Sequence, residues 1–323
     1  GKKVGAAIFG AISQQPRPNG KSTRYLKRVR KLLDLFQYED LIERALKEDI
    51  GTGDLSSWII PEDYYGEAKL YAKEKGIVCG VEITARVFKK VDPKIETEIM
   101  VQDGDPVTPG TLIMVIKGSL AAILRAERTS LNFLQHLSGI ATATRNLVDR
   151  VADLGVKVTD TRKTIPGMRA LQKYAVRVGG GANHRFGLYD AVMLKDNHHA
   201  AVGGLKNAVL KVKEKVGHMV KIEVECETLE QVKEALECGV DVIMLDNMSI
   251  EDMRIAVKMI DHRAIVEASG GINEENIRQI AETGVDVVSV GRLTHSVKAV
   301  DFSIVVDEMK PSIRKHLACA SKI

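Results

Sequence analysis

Hydrophobic and polar positions divide this chain into two regions with different periodicities. Between residues 35 and 150, apolar positions at helical spacing alternate with short β-rich runs, whereas after residue 151 short apolar runs each end in a polar residue. Helical spacing places apolar side chains on one face of a helix, and short apolar runs between polar ends are typical of buried strands. The pattern therefore predicts two domains, 35–150 and 151–301, and we expect residues 302–323 to join the first.

The first region predicts a small unit of helices and strands. Predicted helices cover about residues 35–48, Val81–Val91 and Ser119–Val151, and predicted strands cover Glu67–Ala72, Gly76–Cys79, Ile95–Val101 and Thr111–Lys117. Residues 66–118 contain no pattern that indicates a reactive site. Arg128 lies within the long predicted helix, where the residues alone favour a solvated or ion-paired side chain.

The second region predicts about six strands separated by helices. The apolar runs and the residues that end them are Val156–Val158 to Asp160, Ala191–Leu194 to Lys195, Val220–Val224 to Glu225, Val240–Leu245 to Asp246, Ala264–Ala268 to Ser269, and Val285–Val290 to Gly291. The last four end residues are 21, 23 and 22 positions apart. Strands that alternate with helices at this interval form a parallel sheet, which closes most simply into a barrel. Six strands predict either an incomplete barrel or a barrel with a further strand that the pattern does not reveal.

The composition narrows the class of protein. The 323 residues are 45% hydrophobic, 28% charged and 4% aromatic, with a formal net charge of +4. This is ordinary for a globular protein with a sizeable core. Few aromatic residues argue against single-stranded nucleic-acid binding, which uses base stacking, and the small net charge does not predict a groove for a phosphate backbone. We therefore expect no nucleic-acid partner.

The cysteines and the lengths of the apolar runs indicate the cellular compartment in which the protein is expected. The four cysteines form no C-x-x-C pair and no metal-ligand spacing. This pattern favours a reducing compartment and a cytoplasmic protein. No apolar run approaches the roughly 18–20 residues that span a bilayer, and no signal peptide is evident. We expect no membrane partner.

The first 34 residues form a basic extension of unknown role. They contain nine lysines and arginines and no acidic residue before Asp34. An added or poorly ordered extension is one interpretation. Basic, acid-free N-termini are also typical of organellar transit peptides, which would place the protein in an organelle, and of arms that bind nucleic acid.

Three cations follow closely on predicted strands. Arg162 and Lys163 come after the run ending at Val158, and Lys195 comes directly after Leu194. The carboxyl ends of parallel strands form the mouth where such sheets and barrels bind ligands. Cations gathered there repel one another and lose water, which a polyanionic ligand offsets. The sequence therefore predicts a substrate with several carboxylates or phosphates.

Acidic residues are predicted at the same mouth. Glu223 and Glu225 lie two apart on one strand and so face the same side, and Asp246 ends the next strand. Carboxylate oxygens suit Mg²⁺ that is held jointly with substrate phosphates. Ion-paired strand ends are the alternative, and we favour the functional interpretation.

Glycines end the last two predicted strands. Ser269-Gly270-Gly271 and Gly291 would let backbone N–H groups approach a phosphate, as barrels often do after their final strands. The alternative is a pair of tight turns. Gly179-Gly180-Gly181 matches no phosphate-loop pattern and is interpreted as a flexible turn that presents His184 and Arg185. His198-His199 would point to opposite faces of a strand, so we do not favour zinc.

Eight segments carry long motif matches to one enzyme family. They are EDIGTGDLSS (48–57), DGDPVTPGT (103–111), AERTSLNFLQHLSGIAT (126–142), the stretch from TDTRKTIPG to MLKDNH (159–198), EVECETLEQ (223–231), VDVIMLDN (240–247), EASGGI (267–272) and GVDVVSVGRLTHS (284–296). In these segments the chain resembles quinolinate phosphoribosyltransferase. The resemblance covers about residues 35–301, and residues 1–34 match nothing in it.

The resemblance implies a fold and a reaction. The fold is an N-terminal α/β sandwich followed by an incomplete α/β barrel. The reaction joins quinolinate to phosphoribosyl pyrophosphate and yields nicotinate mononucleotide, pyrophosphate and CO₂, with Mg²⁺ as cofactor. The implied assembly is a homodimer in which Arg128 reaches into the partner's site, and a hexamer stays open.

The resemblance also assigns roles to residues. The carboxylates of quinolinate are expected at Arg128, Arg162, His184, Arg185 and Lys195. Lys163, Glu225 and Asp246 are the expected catalytic residues facing phosphoribosyl pyrophosphate, with Glu225 and Asp246 also holding Mg²⁺. Ser269, Gly270, Gly271 and Gly291 are expected around the 5′-phosphate.

Three other functions stay open on the sequence. One is a related phosphoribosyltransferase for a different acidic heterocycle. Another is a barrel lyase that forms a Schiff base through Lys163 or Lys195. The third is a ligand-binding protein without catalysis that uses the basic N-terminal arm on nucleic acid.

Overall fold

A computed structural model describes residues 38–61 and 64–306 of the chain. It contains an antiparallel sheet covered by helices and a separate parallel sheet whose strands alternate with helices. The predicted fold class, an α/β sandwich followed by an incomplete barrel, is confirmed. The basic extension at residues 1–34 and the segment 307–323 lie outside the described residues.

The elements of the first region follow the predicted order. The helices are α1 (Glu39–Ile50), α2 (Val81–Val91) and α3 (Leu120–Arg150), with a short 3-10 helix at Ser56–Ile59. The strands are β1 (Tyr65–Ala72), β2 (Gly76–Ile77), β3 (Glu96–Ile99), β4 (Pro106–Val107) and β5 (Leu112–Ser119).

The elements of the second region alternate as the spacing predicts. The strands are β6 (Lys157–Thr159), β7 (Val192–Leu194), β8 (Ile222–Cys226), β9 (Val242–Asp246), β10 (Ile265–Ser269), β11 (Val287–Ser289) and β12 (Phe302–Val306). The helices are α4 (Arg169–Val178), α5 (Asp196–Val202), α6 (Leu205–Lys213), α7 (Leu229–Glu237), α8 (Ile250–Ile260), α9 (Ile277–Ala281) and α10 (Arg292–His295).

The antiparallel sheet has the strand order β12-β1-β5-β3. Ala68, Leu70 and Ala72 of β1 are fully buried while the residues between them are partly exposed, which is the period-two pattern of a strand with one buried face. Strand β12 pairs antiparallel with β1, with Ile304 opposite Leu70. Residues 302–306 therefore return to the sheet of the first region.

Helix α3 connects the two regions. Ser119 caps it by accepting a hydrogen bond from the backbone N–H of Ala122. Leu134, Leu137 and Ile140, spaced three residues apart, have no exposed surface. The helix packs against α2 on one side and against α4 on the other, so its 31 residues contact both layers.

The parallel sheet has the strand order β6-β11-β10-β9-β8-β7. Its two edge strands, β6 and β7, are not hydrogen-bonded neighbours, so the barrel is open between them. The residues that link these edges, 160–191, cross the opening and carry the basic motifs. Within the described ranges, no helix is both long and apolar enough to cross a membrane.

Gly179 and Gly180 form a turn, as the sequence predicts, but the glycine segment packs closely against helix α3. A Cβ on Gly179 would lie 2.6 Å from the carbonyl oxygen of Ala141, and a Cβ on Gly181 would lie 2.8 Å from Thr144 of α3. The chain therefore approaches helix α3 too closely for any side chain at these positions. The glycines fix the start of the loop to His184 and Arg185 instead of loosening it.

The expectation that His198 and His199 lie on a strand is wrong. They belong to helix α5, which begins directly after Lys195. The Nδ1 atom of His198 accepts the backbone N–H of Lys195 at 3.0 Å and so closes the first turn. His199 is buried against the barrel.

Candidate active site

A cavity of about 820 Å³ opens at the carboxyl ends of the parallel strands. Every sequence-predicted site residue except Arg128 and Glu223 lines it: Arg162, Lys163, His184, Arg185, Lys195, Glu225, Asp246, Ser269, Gly270, Gly271 and Gly291. The prediction of Glu223 at the mouth is wrong, because its side chain is buried below the strand ends. The lining residues come from five strand ends, those of β7 to β11, and from the segment 160–191 that links the two edges of the sheet. The volume is in the range of pockets that enclose small-molecule ligands.

Arg128 lies apart from this cavity. It is an exposed residue on helix α3 and does not line the mouth of its own barrel. One chain therefore supplies three cations from the crossing segment, Arg162, Lys163 and Arg185, and Lys195 from the end of β7.

The loop with Arg162 and Lys163 is held from below. Gln172 of α4 is fully buried and accepts the backbone N–H of Ile165 at 2.8 Å, while its amide donates to the carbonyl of Thr294 at 2.9 Å. The hydroxyl of Thr294 donates to the carbonyl of Lys163 at 2.7 Å. Because backbone groups are held at both ends, the two cations stand on a rigid support.

Gly291 leaves room for the stem of Lys163. A Cβ at Gly291 would lie 2.9 Å from Cδ of Lys163. The absence of a side chain at the end of β11 thus lets the lysine stem cross the strand end and reach the cavity.

Lys195 and Glu225 form an ion pair in the mouth. The lysine Nζ lies 2.5 Å from Oε2 of Glu225, with 45% of the lysine side chain and 11% of the glutamate side chain exposed. Water reaches this pair, so its strength is modest and a competing anion or cation can replace either partner.

Asn247 is a site residue that the sequence reasoning missed. It follows Asp246, lines the cavity and adopts a positive φ of 52°. Its side-chain amide donates to Oδ2 of Asp246 at 2.9 Å, and its backbone N–H donates to the carbonyl of Ser269 at 3.0 Å. Asparagine tolerates this left-handed conformation better than most residues, so the Asp-Asn pair was the available signal.

A glycine is required at position 270 because the side chain of Asn247 approaches it closely. Its φ is 101°, and a Cβ there would lie 2.2 Å from Oδ1 of Asn247. Gly271 also has a positive φ, but a Cβ there would meet nothing within 4 Å. The first glycine admits Asn247, and the second leaves space and backbone open to the cavity.

His184 is held by two acids from the barrel interior. Its Nε2 lies 3.1 Å from Oε2 of Glu223 and 3.4 Å from Oε1 of Glu267. Burial lowers the pKa of the ring, but the two carboxylates outweigh burial and raise it. The backbone N–H of Arg185 donates to Nδ1 at 2.8 Å, so the ring proton lies on Nε2. Sequence reasoning assigned no role to Glu267.

A second buried pair lies under the same loop. Lys173 of α4 and Asp160 have no exposed side-chain surface, and the lysine Nζ lies 2.5 Å from Oδ1 of the aspartate. Asp160 also accepts from the side chain of Asn183 and from the backbone N–H of His184. Burial raises the pKa of Asp160 and lowers that of Lys173, while their mutual attraction opposes both shifts.

The Lys173–Asp160 pair was missed for a physical reason. A lysine in an amphipathic helix pattern is normally assigned to the solvated face, and only the tertiary fold brings it beneath the loop. The signal lay in the strand-end aspartate, which ends the first predicted barrel strand.

Comparison with known proteins places the chain among relatives along most of its length. Residues 49–138 match the family described as "Quinolinate phosphoribosyl transferase, N-terminal domain", and residues 140–305 match its C-terminal domain. A probable nicotinate-nucleotide pyrophosphorylase [carboxylating] of Bacillus subtilis is 46% identical over 87% of this chain and 97% of its own length.

Two further comparisons agree. A chloroplastic nicotinate-nucleotide pyrophosphorylase [carboxylating] of Arabidopsis thaliana is 42% identical, over 84% of this chain and 83% of its own. The crystal structure of NadC from Streptococcus pyogenes superposes with a TM-score of 0.82 at 43% identity, covering 85% of this chain and 99% of that one.

Proposed function

The chain belongs to the quinolinate phosphoribosyltransferase family, and we propose that its barrel mouth joins quinolinate to phosphoribosyl pyrophosphate and then releases CO₂. The products are nicotinate mononucleotide, pyrophosphate and CO₂, which is a step of NAD biosynthesis. The observation that carries the proposal is a cavity whose lining brings cations, among them Arg162, Arg185 and Lys195, together with two strand-end acids. This charge pattern fits a dianionic heterocycle beside a sugar pyrophosphate.

Quinolinate would bind at the cationic side. Arg162, Arg185 and Lys195 line the cavity together and offer donors for two adjacent carboxylates. Arginine presents a planar fork that matches a carboxylate, and lysine presents a point charge. A second carboxylate distinguishes quinolinate from nicotinate, because each carboxylate needs its own cation in a partly dehydrated mouth.

Phosphoribosyl pyrophosphate would bind at the acidic side. Lys163 reaches the cavity over Gly291 and meets the pyrophosphate. The 5′-phosphate would lie against Ser269, Gly270 and Gly271, where the open backbone at Gly271 lets N–H groups approach it. Glu225 and Asp246 would face the ribose, where positive charge develops as pyrophosphate leaves.

Glu225 and Asp246 are also the residues that would hold Mg²⁺. Both are carboxylates at neighbouring strand ends of one cavity, which is the oxygen-rich donor set that Mg²⁺ prefers when substrate phosphates complete its coordination. The bound ion would neutralise the pyrophosphate as it departs.

The chemistry after ribosyl transfer needs little from the protein. The pyridine nitrogen attacks the anomeric carbon, the bond to pyrophosphate breaks, and the ring nitrogen becomes cationic. The bond from C2 to its carboxylate then breaks, CO₂ leaves, and the electron pair at C2 is stabilised by the adjacent cationic nitrogen until it takes up a proton. The side chains of the mouth hold the substrates in line and neutralise their charges.

We propose a homodimer in which Arg128 completes the quinolinate side of the partner's site. The support is that Arg128 is exposed on α3 and does not line its own cavity. Mixing Arg128→Ala chains with Lys163→Ala chains tests this. If Arg128 acts across the interface, hybrid dimers contain one intact site and regain activity, whereas action within one chain leaves the mixture inactive. A hexamer would appear as a larger mass in light scattering.

We also propose a reducing compartment, with the cytoplasm as the simplest choice. The three cysteines that the structure describes, Cys79, Cys226 and Cys238, are free thiols. Plant relatives carry chloroplastic or mitochondrial names, so an organelle is the alternative. Localisation of the tagged full chain distinguishes the two.

The function is tested by incubating the protein with Mg²⁺, phosphoribosyl pyrophosphate and quinolinate labelled in the 2-carboxylate. We expect labelled CO₂ and nicotinate mononucleotide in equal amounts, and little product from nicotinate. Rapid turnover of nicotinate without CO₂ would indicate a related transferase. Covalent trapping of a carbonyl substrate by borohydride would indicate a Schiff-base lyase instead.

A further inference from the structure

Two buried carboxylates lie one layer below the mouth of the barrel. Glu223 precedes Glu225 by two positions on β8, and Glu267 precedes Ser269 by two positions on β10, so each acid lies beneath a mouth residue on the same strand face. Only 6% of Glu223 and 4% of Glu267 is exposed. Barrel interiors are usually filled by branched apolar side chains at this depth.

Burying two acids together is costly without a compensating role. Each carboxylate loses water, and the two like charges repel. Within the described residues, Oε1 of Glu223 is buried without a hydrogen-bond partner, and Oε1 of Glu267 has only a long contact with the His184 ring, so few contacts stabilise the pair. The partner that both acids share is the ring of His184, at 3.1 Å from Glu223 and 3.4 Å from Glu267.

The hydrogen bonds of His184 determine its tautomer. Its Nδ1 lies 2.8 Å from the backbone N of Arg185 and accepts that N–H, so Nδ1 carries no proton. The ring proton is therefore on Nε2, which points between the two carboxylates. The ligand atoms of the three residues lie within 4.8 Å of one another, but a protonated Nε2 has no lone pair for a metal ion.

We propose that Glu223 and Glu267 are positioning residues for quinolinate: by holding His184 as the Nε2–H tautomer they keep its Nδ1 on the Arg185 backbone and so fix the direction of the Arg185 side chain. The inference rests on the proposed function, because it concerns the quinolinate side of that site. Arg185 donates to the carbonyl of Ala191 at 2.7 Å, so a small rotation of this turn also changes how the arginine faces the cavity.

The test uses Glu267→Gln and Glu223→Gln in the full chain. Both changes keep size and shape but remove the charge that fixes the ring. We expect KM for quinolinate to rise about tenfold, because losing one charge-assisted hydrogen bond changes a binding constant by about that factor. KM for phosphoribosyl pyrophosphate should stay within about twofold of the wild-type value. Asp241→Asn is the control, because it removes a carboxylate that accepts the backbone N–H of Ile222 at the opposite end of the same sheet.

The two KM values separate the outcomes. Equal changes for both substrates, or no change, would overturn the positioning role while wild-type turnover leaves the proposed function intact. Absence of turnover by the wild-type protein would instead overturn the proposed function. The Asp241→Asn protein should melt at a lower temperature with an unchanged ratio of the two KM values.

Nitrogen NMR of the wild-type protein tests the tautomer of His184 itself, without the glutamate variants. In ¹⁵N-histidine-labelled protein, the His184 signal is assigned by its loss in His184→Gln. We expect Nε2 to be protonated and Nδ1 to be unprotonated. A proton on Nδ1, whether or not Nε2 also carries one, would overturn the proposal.

Discussion

Two lysines in the barrel make the same contact in opposite surroundings. Lys173 pairs with Asp160 and Lys195 pairs with Glu225, both at 2.5 Å, but the first pair is wholly buried and the second is open to the mouth. Asp160 accepts further hydrogen bonds from Asn183 and His184, so the buried pair belongs to a closed network. The mouth pair has no such enclosure and is suited to exchange partners with substrates. Burial thus separates a structural ion pair from a binding one.

The largest expected effect comes from breaking the buried pair. Lys173→Met leaves the charge of Asp160 buried without its cation, and we expect the free energy of unfolding to fall by about 3–5 kcal/mol. Urea unfolding followed by circular dichroism measures this. A loss below about 1 kcal/mol, which is typical of solvated pairs, would show that the pair is not structurally buried in solution.

The next largest effect is expected at Arg162 and Lys163, the two cations of the loop that Gln172 and Thr294 hold in place. Arg162→Ala and Lys163→Ala remove charges that face the cavity but hold no other element, so we expect an unchanged melting temperature and at least a roughly hundredfold loss of kcat/KM. Steady-state kinetics with both substrates measures the loss. Wild-type kcat/KM in either variant would contradict the assigned roles.

Lys195→Met removes the cation of the exposed ion pair, as Lys173→Met removes that of the buried pair, so the two variants compare the pairs directly. Because water reaches the Lys195–Glu225 pair, we expect no measurable change in stability and a rise of about tenfold in KM for quinolinate. The same melting and kinetic measurements are applied to both variants. A large loss of stability in Lys195→Met would show that the mouth pair is structural, like the buried one.

A smaller effect is expected at Gly291. In Gly291→Ala the new methyl group would meet the stem of Lys163, which can shift because it is flexible. We expect KM for phosphoribosyl pyrophosphate to rise a few-fold, because the Lys163 side chain would have to leave its preferred rotamer to bind. KM for quinolinate should be unchanged. An effect on quinolinate alone would separate Lys163 from the pyrophosphate side.

The sequence predicted those features of the fold and the site that follow from hydrophobic periodicity and from the polar residues at strand ends. The six barrel strands, the helix from Leu120 to Arg150 and the cavity lining follow from apolar runs that end in polar residues. It did not predict contacts that depend on tertiary packing. Lys173 is buried because α4 places it against Asp160 and the backbone of His184, and Gly179 is required because α3 lies against it.

The histidines show a limit of local patterns. His184 was expected to contact quinolinate, and its ring does line the cavity, but both ring nitrogens already have partners in the protein. The acids that contact Nε2 come from strands β8 and β10. Their proximity depends on the order of the strands in the sheet, which the spacing of the strands along the sequence does not determine.

The central claim is that the exposed cations form a site for two carboxylates. Isothermal titration of the full chain with quinolinate, and separately with nicotinate, tests it most directly. We predict that quinolinate binds at least about tenfold more tightly, because each carboxylate gains a charge-assisted contact. Equal affinity for the two acids would contradict the claim, since a single carboxylate would then be sufficient for binding.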